Sequence, residues 1–321
     1  MRTARCEFRR NWYKMIDMIS VYKHKHLTWV DVESPSSEEV RELMGKYNID
    51  PLVAEELLLP TLKPRVDVYK NFIYLILHFP AFRHTHGDNP NQEIDFIIGK
   101  DFLITTRYDS VDPLHKFSKV FEVNSVLDRS DIGDHAGYLF FYMVRKLYKS
   151  LEHELEYISD SLGIIEEDIF EGKEKEMVIA LSNVSRVLLN LRQAITPHHE
   201  ILNSFCDAGK VFFGEKFGYH LSSIMGEYYR IKNSANSLID TLNELRQTNN
   251  SLVSTKQNEV MKVLTIMAFI TFPLSLMASI FGMNTLYLPI VGHPFDFWII
   301  ISIMLVAMGF FFAYFKYKEW L

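Results

Sequence analysis

Cysteine is nearly absent: Cys6 and Cys206 are the only two among 321 residues, 200 positions apart and without metal-ligand spacing. A disulfide framework is excluded, and a reducing compartment fits. No apolar stretch follows the basic N-terminal residues Arg2, Arg5, Arg9, Arg10 and Lys14, so neither a secretory signal nor an N-terminal membrane helix is expected. Basic charge is also short. Lys and Arg number 34 against 40 Asp and Glu, a net charge of −6 with no basic stripe, which argues against a nucleic-acid partner. The chain has no Gly-x-x-x-x-Gly-Lys, His-Glu-x-x-His, Gly-x-Ser-x-Gly or Cys-x-x-Cys, so neither an enzyme nor an organic cofactor is expected.

Two long apolar runs are present. Val263 to Phe281 and Phe297 to Phe315 are each 19 residues without a charge, and 19 residues of helix rise about 28 Å, enough to cross the hydrocarbon layer. The chain reads as a membrane-embedded, multi-pass protein with a hairpin anchor. Arg246, Lys256 and Lys262 precede the first run and Lys316 and Lys318 follow the second, whereas Thr285 to Asp296 contains no Lys or Arg. Positive residues stay inside. Both termini are therefore expected in the cytoplasm, with the protein in the cell (inner or plasma) membrane and the connecting loop outside.

The expected fold is an α+β cytoplasmic domain, an α/β/α sandwich, followed by a long stalk helix and a two-helix transmembrane hairpin. Its expected segments are an α/β domain (1–125), a helical hairpin (126–216), a stalk helix (217–262), a first membrane helix (263–284), an outer loop (285–296), a second membrane helix (297–315) and a basic cytoplasmic tail (316–321). Leu27 to Val32 reads as a strand and Ser36 to Tyr47 as a helix with Glu38 and Glu39 in its first turn. Val66 to Phe79 and Ile94 to Arg107 are β-rich, joined by a polar turn from Arg83 to Gln92. From about Asp134 the pattern is helical: one helix to about Phe170, a charged tip turning at Gly172, and a second helix returning to about Cys206. The ordinary explanation of such a tip is solvation.

Proline is absent between Pro197 and Pro273, so one helix of 65 residues, about 97 Å long, is expected from Phe217 to Phe281. Ile224, Tyr228, Ile231, Ala235, Leu238, Leu242, Leu245 and Leu252, with Asn249 in the missing place, form a heptad seam that needs partner helices from this chain or from other subunits. A second stripe runs about 100° round the helix. Before the membrane its members include Asp240, Glu244, Gln247, Asn258 and Met261; within it they include Thr265, Ala268, Phe272, Ser275, Ser279 and Gly282. One reading is a solvated face that becomes a small-residue helix contact in the bilayer. The other is a wet axis shared by several copies, where Asp240, Glu244 and Gln247 form cation-attracting rings and Met261, Leu264 and Phe272 apolar rings that stop flow by dewetting.

Gly282-Met283-Asn284 closes the first run. An amide oxygen is a neutral acceptor, so a ring of Asn284 side chains can hold the water shell of a reluctantly dehydrated ion such as Mg²⁺. With this motif, Asn258 to Ile266, Pro273-Leu274, the terminal Lys316-Tyr317-Lys318-Glu319-Trp320-Leu321, and the N-terminal Trp29, Asp31, Pro35 and Lys63 to Asp67, the chain resembles the CorA family of divalent-metal transporters over its whole length.

The resemblance implies a homopentamer that takes up Mg²⁺, or Co²⁺ or Ni²⁺, under the membrane potential. Pore positions then fall at Asn258, Met261, Leu264, Phe272, Ser275 and Asn284, with Lys316 and Lys318 as a positive collar. It also implies closure by cytoplasmic Mg²⁺, yet Ser223 stands where well-known members carry a sensing Asp; the remaining candidates are Glu215, Glu227, Asp240 and Glu244. The outer loop holds one carboxylate, Asp296, so it is expected to concentrate cations weakly. His293 is the one loop residue whose imidazole suits softer ions such as Co²⁺, Ni²⁺ or Zn²⁺, against the ordinary reading of a lone loop histidine as a polar turn residue. The alternative on the same scaffold is a Zn²⁺ transporter of the ZntB branch, possibly driven by protons.

Overall fold

The computed structural model describes residues 19–61, 63–81, 91–109, 111–127, 133–283, 290, 292 and 294–318. The chain divides into two compact units, 1–167 with 179–244, and 168–178 with 245–321. In the first, β1 (Ile19–His24), β2 (Leu27–Glu33), β3 (Val66–Val68), β4 (Phe72–Pro80), β5 (Asn91–Gly99) and β6 (Phe102–Arg107) form a sheet in the order β1-β2-β6-β5-β4-β3. Only the β2–β6 pair is parallel, with Val30 opposite Ile104 and Trp29 opposite Leu103; the other neighbours are antiparallel.

Because side chains alternate across the strands, each sheet face needs its own cover. α1 (Ser37–Tyr47) and α2 (Pro51–Glu56) bury Val40, Leu43 and Val53 against Val30, Val32, Tyr74, Ile76, Ile97 and Ile104. α1 begins with a reciprocal capping box, in which the Ser36 hydroxyl accepts from the Glu39 amide and the Glu39 carboxylate accepts from the Ser36 amide at 2.7 Å. Asn48, in the left-handed region at φ 51°, ends it.

The opposite face is covered by α3 (Asp112–Leu127), α4 (Ala136–Phe170) and α6 (His198–Phe213), the last preceded by α5 (Glu174–Ile195). Trp29 packs edge-on against Phe117 and Phe121, Phe96 against Phe140, and Phe79 against both Tyr148 and His198. This is the expected α/β/α sandwich. One chain of polar groups on β2 and β6 is paired: Trp29 Nε1 donates to Thr105 Oγ1 at 2.9 Å, Thr105 donates to Asp31 at 2.6 Å, and Arg107 pairs with Asp31 at 3.2 Å and Glu33 at 2.8 Å. Such pairing offsets the cost of taking the carboxylate out of water.

Several boundaries differ from expectation. β1 and α3 were not anticipated. β5 begins at Asn91 with Gln92 buried, so these residues belong to a strand rather than to the polar turn, whose residues 82–90 lie outside the described ones. The expected single helix returning to Cys206 is two helices, α5 and α6, separated at Thr196-Pro197. Proline has no amide proton, and its ring collides with the carbonyl four residues back. The tip does turn at Gly172, whose φ of 95° is the left-handed region open to glycine.

α7 (Gly218–Phe281) is a single 64-residue helix entered through a 3₁₀ turn at Glu215–Phe217, and α8 (Asp296–Tyr317) follows. In the first unit the seam residues Ile224, Tyr228, Ile231, Ala235 and Leu242 are buried within the chain itself. α4 lies alongside, joined by Arg145–Glu227 and Glu152–Arg230 at 3.3 Å each. The seam therefore finds its cover in the same protomer.

The break at Pro197 delivers His198 to the core. Its Nε2 donates to the His78 carbonyl at 2.8 Å and its Nδ1 accepts from the Tyr148 hydroxyl at 2.7 Å. Burial lowers its pKa from 6.5 to about 4. The unfolded chain thus binds a proton between these values that the folded chain refuses. The stability contributed by neutral His198 is complete above pH 6.5 and falls as pH drops toward 4, by up to about 3 kcal/mol. Thermal melts of the protein should show this decline, and His198→Gln should flatten it; an unchanged slope would show that His198 does not titrate on unfolding.

Candidate ion pathway

The second unit contains the membrane half of α7, α8 and the 168–178 tip. Among the described residues, α7 with its lead-in and α8 are the two helices long and apolar enough to cross a membrane. Both expose side chains that a water-soluble core would bury, including Met267 at 58% and Phe310 at 67%. That exposure suits a hydrocarbon solvent, where the helical backbone satisfies its own polar groups.

On α7, Asn258, Met261, Leu264, Thr265, Ala268, Phe272, Ser275, Ser279 and Gly282 fall within an arc of about 120° at 100° per residue. The chain's own packing leaves this arc open. Met261 is 62% exposed and Leu264 56%, Ser275 and Ser279 are exposed, and Thr265 and Ala268 are half-buried. The Thr265 hydroxyl donates to the Met261 carbonyl at 2.7 Å, which leaves its oxygen free to accept along the arc. Gln247 is also exposed in this unit; Asp240 and Glu244 belong to the first unit, both exposed and without an ion-pair partner among the described residues.

At the C-terminal end of the arc the Gly282 amide donates to Ala278 O at 2.9 Å, and a Cβ placed on Gly282 would stand 3.1 Å from that same oxygen. Glycine is favoured there by close approach rather than by an unusual dihedral. Met283 follows, exposed, while Asn284 and His293 lie outside the described residues. The loop's one carboxylate is engaged locally: Asp296 accepts from the amides of Gly292 at 3.2 Å and Phe297 at 2.6 Å, at the start of α8. At the far end of α8, Lys316 and Lys318 are exposed.

The charged tip is not simply solvated. Glu174, with a side chain only 7% exposed, grips Lys256 of α7 through both carboxylate oxygens at 2.6 and 2.7 Å, and that hydrogen bonding holds its carboxyl below the usual range. Lys173 meanwhile gathers Asp168 at 2.6 Å and Glu171 at 2.8 Å. In the sequence alone, Lys256 is legible only as a basic residue preceding the membrane span. Its partner lies 82 residues away, a separation that no local pattern bridges.

A family model described as CorA-like Mg²⁺ transporter protein matches residues 24–317. The chain belongs to this CorA family. A curated CorA relative, the cobalt/magnesium transport protein of Thermotoga maritima, is 28% identical over 320 residues, 98% of this chain and 90% of that protein. The solved CorA magnesium transporter of Methanocaldococcus jannaschii matches with a TM-score of 0.75 at 21% identity, over 95% of both chains. The ZntB cytoplasmic domain of Vibrio parahaemolyticus matches with a TM-score of 0.59 at 12% identity, over 71% of this chain and 88% of that one. At these identities the structural matches establish the fold. CorA-family proteins are membrane transporters, and this chain is not an enzyme.

If the arc faces water, cysteines placed at Ser275 and Ser279 in a background lacking Cys6 and Cys206 should react with a charged thiosulfonate reagent in membranes, and cysteines at Ile270 and Met277 on the opposite side of α7 should not. Equal, low reactivity at all four would mark the arc as a helix contact.

Proposed function

We propose that this CorA-family protein is a homopentameric channel for divalent cations, Mg²⁺ first and Co²⁺ or Ni²⁺ second, with α7 of each copy facing a common axis. What carries the proposal is the uncovered arc on α7, polar or small at most positions and apolar at Met261, Leu264 and Phe272. A polar arc exposed to lipid is costly, and identical copies remove that cost by turning it toward one another. The names of its relatives, cobalt/magnesium and magnesium transport proteins, agree with the ion.

In this reading hydrated metal is received by a ring of Gly282-Met283-Asn284 and passes Ser279, Ser275, Ala268 and Thr265 as water-lined positions. Phe272, Leu264 and Met261 form the dewetting constriction, and Asn258, Gln247, Glu244 and Asp240 offer polar and acidic rings on the cytoplasmic side. Lys316 and Lys318 form the collar, and both termini face the cytoplasm of a cell-membrane protein. A divalent ion entering gains about 4.6 kcal/mol per 100 mV of inside-negative potential. The direction of transport then needs no nucleotide.

Cytoplasmic Mg²⁺ is the proposed regulator. Ser223 is exposed on α7 but is no carboxylate, and Glu227 is already held by Arg145 and Arg230, which leaves Glu215, Asp240 and Glu244 as exposed acids for an intersubunit site. The likeness to ZntB concerns the fold of the soluble domain. Zn²⁺ flux that vanishes without a pH gradient would favour that branch.

Asn284→Ala should reduce Mg²⁺ uptake into vesicles by more than tenfold with assembly intact; full uptake would remove Asn284 from the mechanism. Met261→Ser should raise flux at high internal Mg²⁺ severalfold, and unchanged closed-state flux would place the constriction elsewhere.

A further inference from the structure

Near the C-terminal end of α8, a groove of about 550 Å³ lies between the two membrane helices. Phe269 of α7 lines it together with Phe310, Phe311, Tyr314, Phe315 and Lys318 of α8. Its floor is packed: the Phe269 and Phe315 rings meet edge-on at 6.2 Å, and Phe315 is 5% exposed. Its walls are open, with Tyr314 49% exposed as well as Phe310. The size falls within the range of about 300–1,000 Å³ typical of small-molecule sites, and the lining follows the usual plan of apolar walls with one polar anchor.

Two observations select the occupant. The walls are almost wholly apolar at a depth where the alternative to water is hydrocarbon, which suits a flexible acyl chain. At the rim stands Lys318, exposed and without a carboxylate partner among the described residues, flanked by Tyr314 and Tyr317 as in an interfacial aromatic belt. A zwitterionic lipid would bring a cation of its own beside that ammonium and no net counter-charge, and an apolar helix would bring no charge at all. The cytoplasmic leaflet supplies anionic headgroups, and basic pockets between membrane helices on that side bind them.

We propose that this groove is a binding site for an anionic phospholipid, with one acyl chain lying between α7 and α8 and the phosphate resting on the Lys318 ammonium. The choice of headgroup rests on the cytoplasmic placement of this end argued above; the groove itself does not depend on the pore.

The intact assembly, released in a neutral detergent and titrated with phosphatidylglycerol or with phosphatidylcholine of the same chains, can be read by native mass spectrometry. Wild type should retain phosphatidylglycerol preferentially. Lys318→Gln should weaken that retention about fivefold, Phe310→Ser should weaken retention of both lipids, and Lys46→Gln, on the exposed side of α1, should change neither. Equal retention of the two lipids by wild type, or undiminished retention by Lys318→Gln, would overturn the proposal. So would a disulfide between protomers carrying Phe310→Cys in a background without Cys6 and Cys206, because a neighbouring chain would then fill the groove. Orientation is read separately: labelling of Lys318→Cys from outside sealed cells would overturn the cytoplasmic placement even where the lipid preference held.

Discussion

A membrane helix cannot turn polar groups toward lipid without cost, and this constraint shapes the C-terminal third of the protein. α8 meets it simply: from Phe297 to Phe315 the only polar side chains are Trp298, Ser302 and Tyr314. α7 does not. It carries Thr265, Thr271, Ser275 and Ser279 through its apolar stretch and remains one helix past Pro273. Thr265 and Thr271 satisfy their hydroxyl protons on the carbonyls of Met261 and Met267, but the arc that Thr265, Ser275 and Ser279 partly define stays uncovered by the protomer. The proposed assembly turns that liability into the conduit.

The α/β/α sandwich meets a related problem in its sheet, where charged groups sit under the helices. Asp31 is held by Thr105 and Arg107, and Glu93 accepts from the Thr61 amide at 2.7 Å and pairs with His78 at 2.9 Å. Asp95, two residues along the same strand, is fully buried. Desolvation, with Glu93 beside it, raises its carboxyl well above the ordinary range, and the Tyr108 hydroxyl donates to it at 3.2 Å. Keeping this acid neutral avoids two adjacent buried charges. His198 is kept neutral by the same physics with the opposite sign of shift.

Much of this was legible because local chemistry and long-range packing agree. Ser36 and Glu39 announce α1 and then form its capping box, and on the seam Ile224, Tyr228, Ile231, Ala235 and Leu242 are buried as its period requires, with Leu238 half-buried. Where the two disagree, the sequence misled. β1 exposes Val21 and buries His24, inverting the alternation that marks a strand. α3 does the same, with Ser118 buried and Val120 exposed. The division of α5 from α6 was written in Pro197 but masked by apolar residues that continue on both sides. Of the pathway, the order of residues along α7 could be read directly, since one helix fixes it. The Lys256–Glu174 clamp and the aromatic groove depend on residues brought together from distant segments, and no spacing encodes them.

The account stands on identical α7 helices facing one another across an axis. Single cysteines introduced in a background without Cys6 and Cys206, then oxidised in native membranes, test this most directly. Phe272→Cys, on the proposed axis, should join protomers into covalent dimers, whereas Ile270→Cys, on the far side of the helix, should leave them as monomers. Crosslinking at Ile270 with none at Phe272 would place the arc away from the axis and contradict the account.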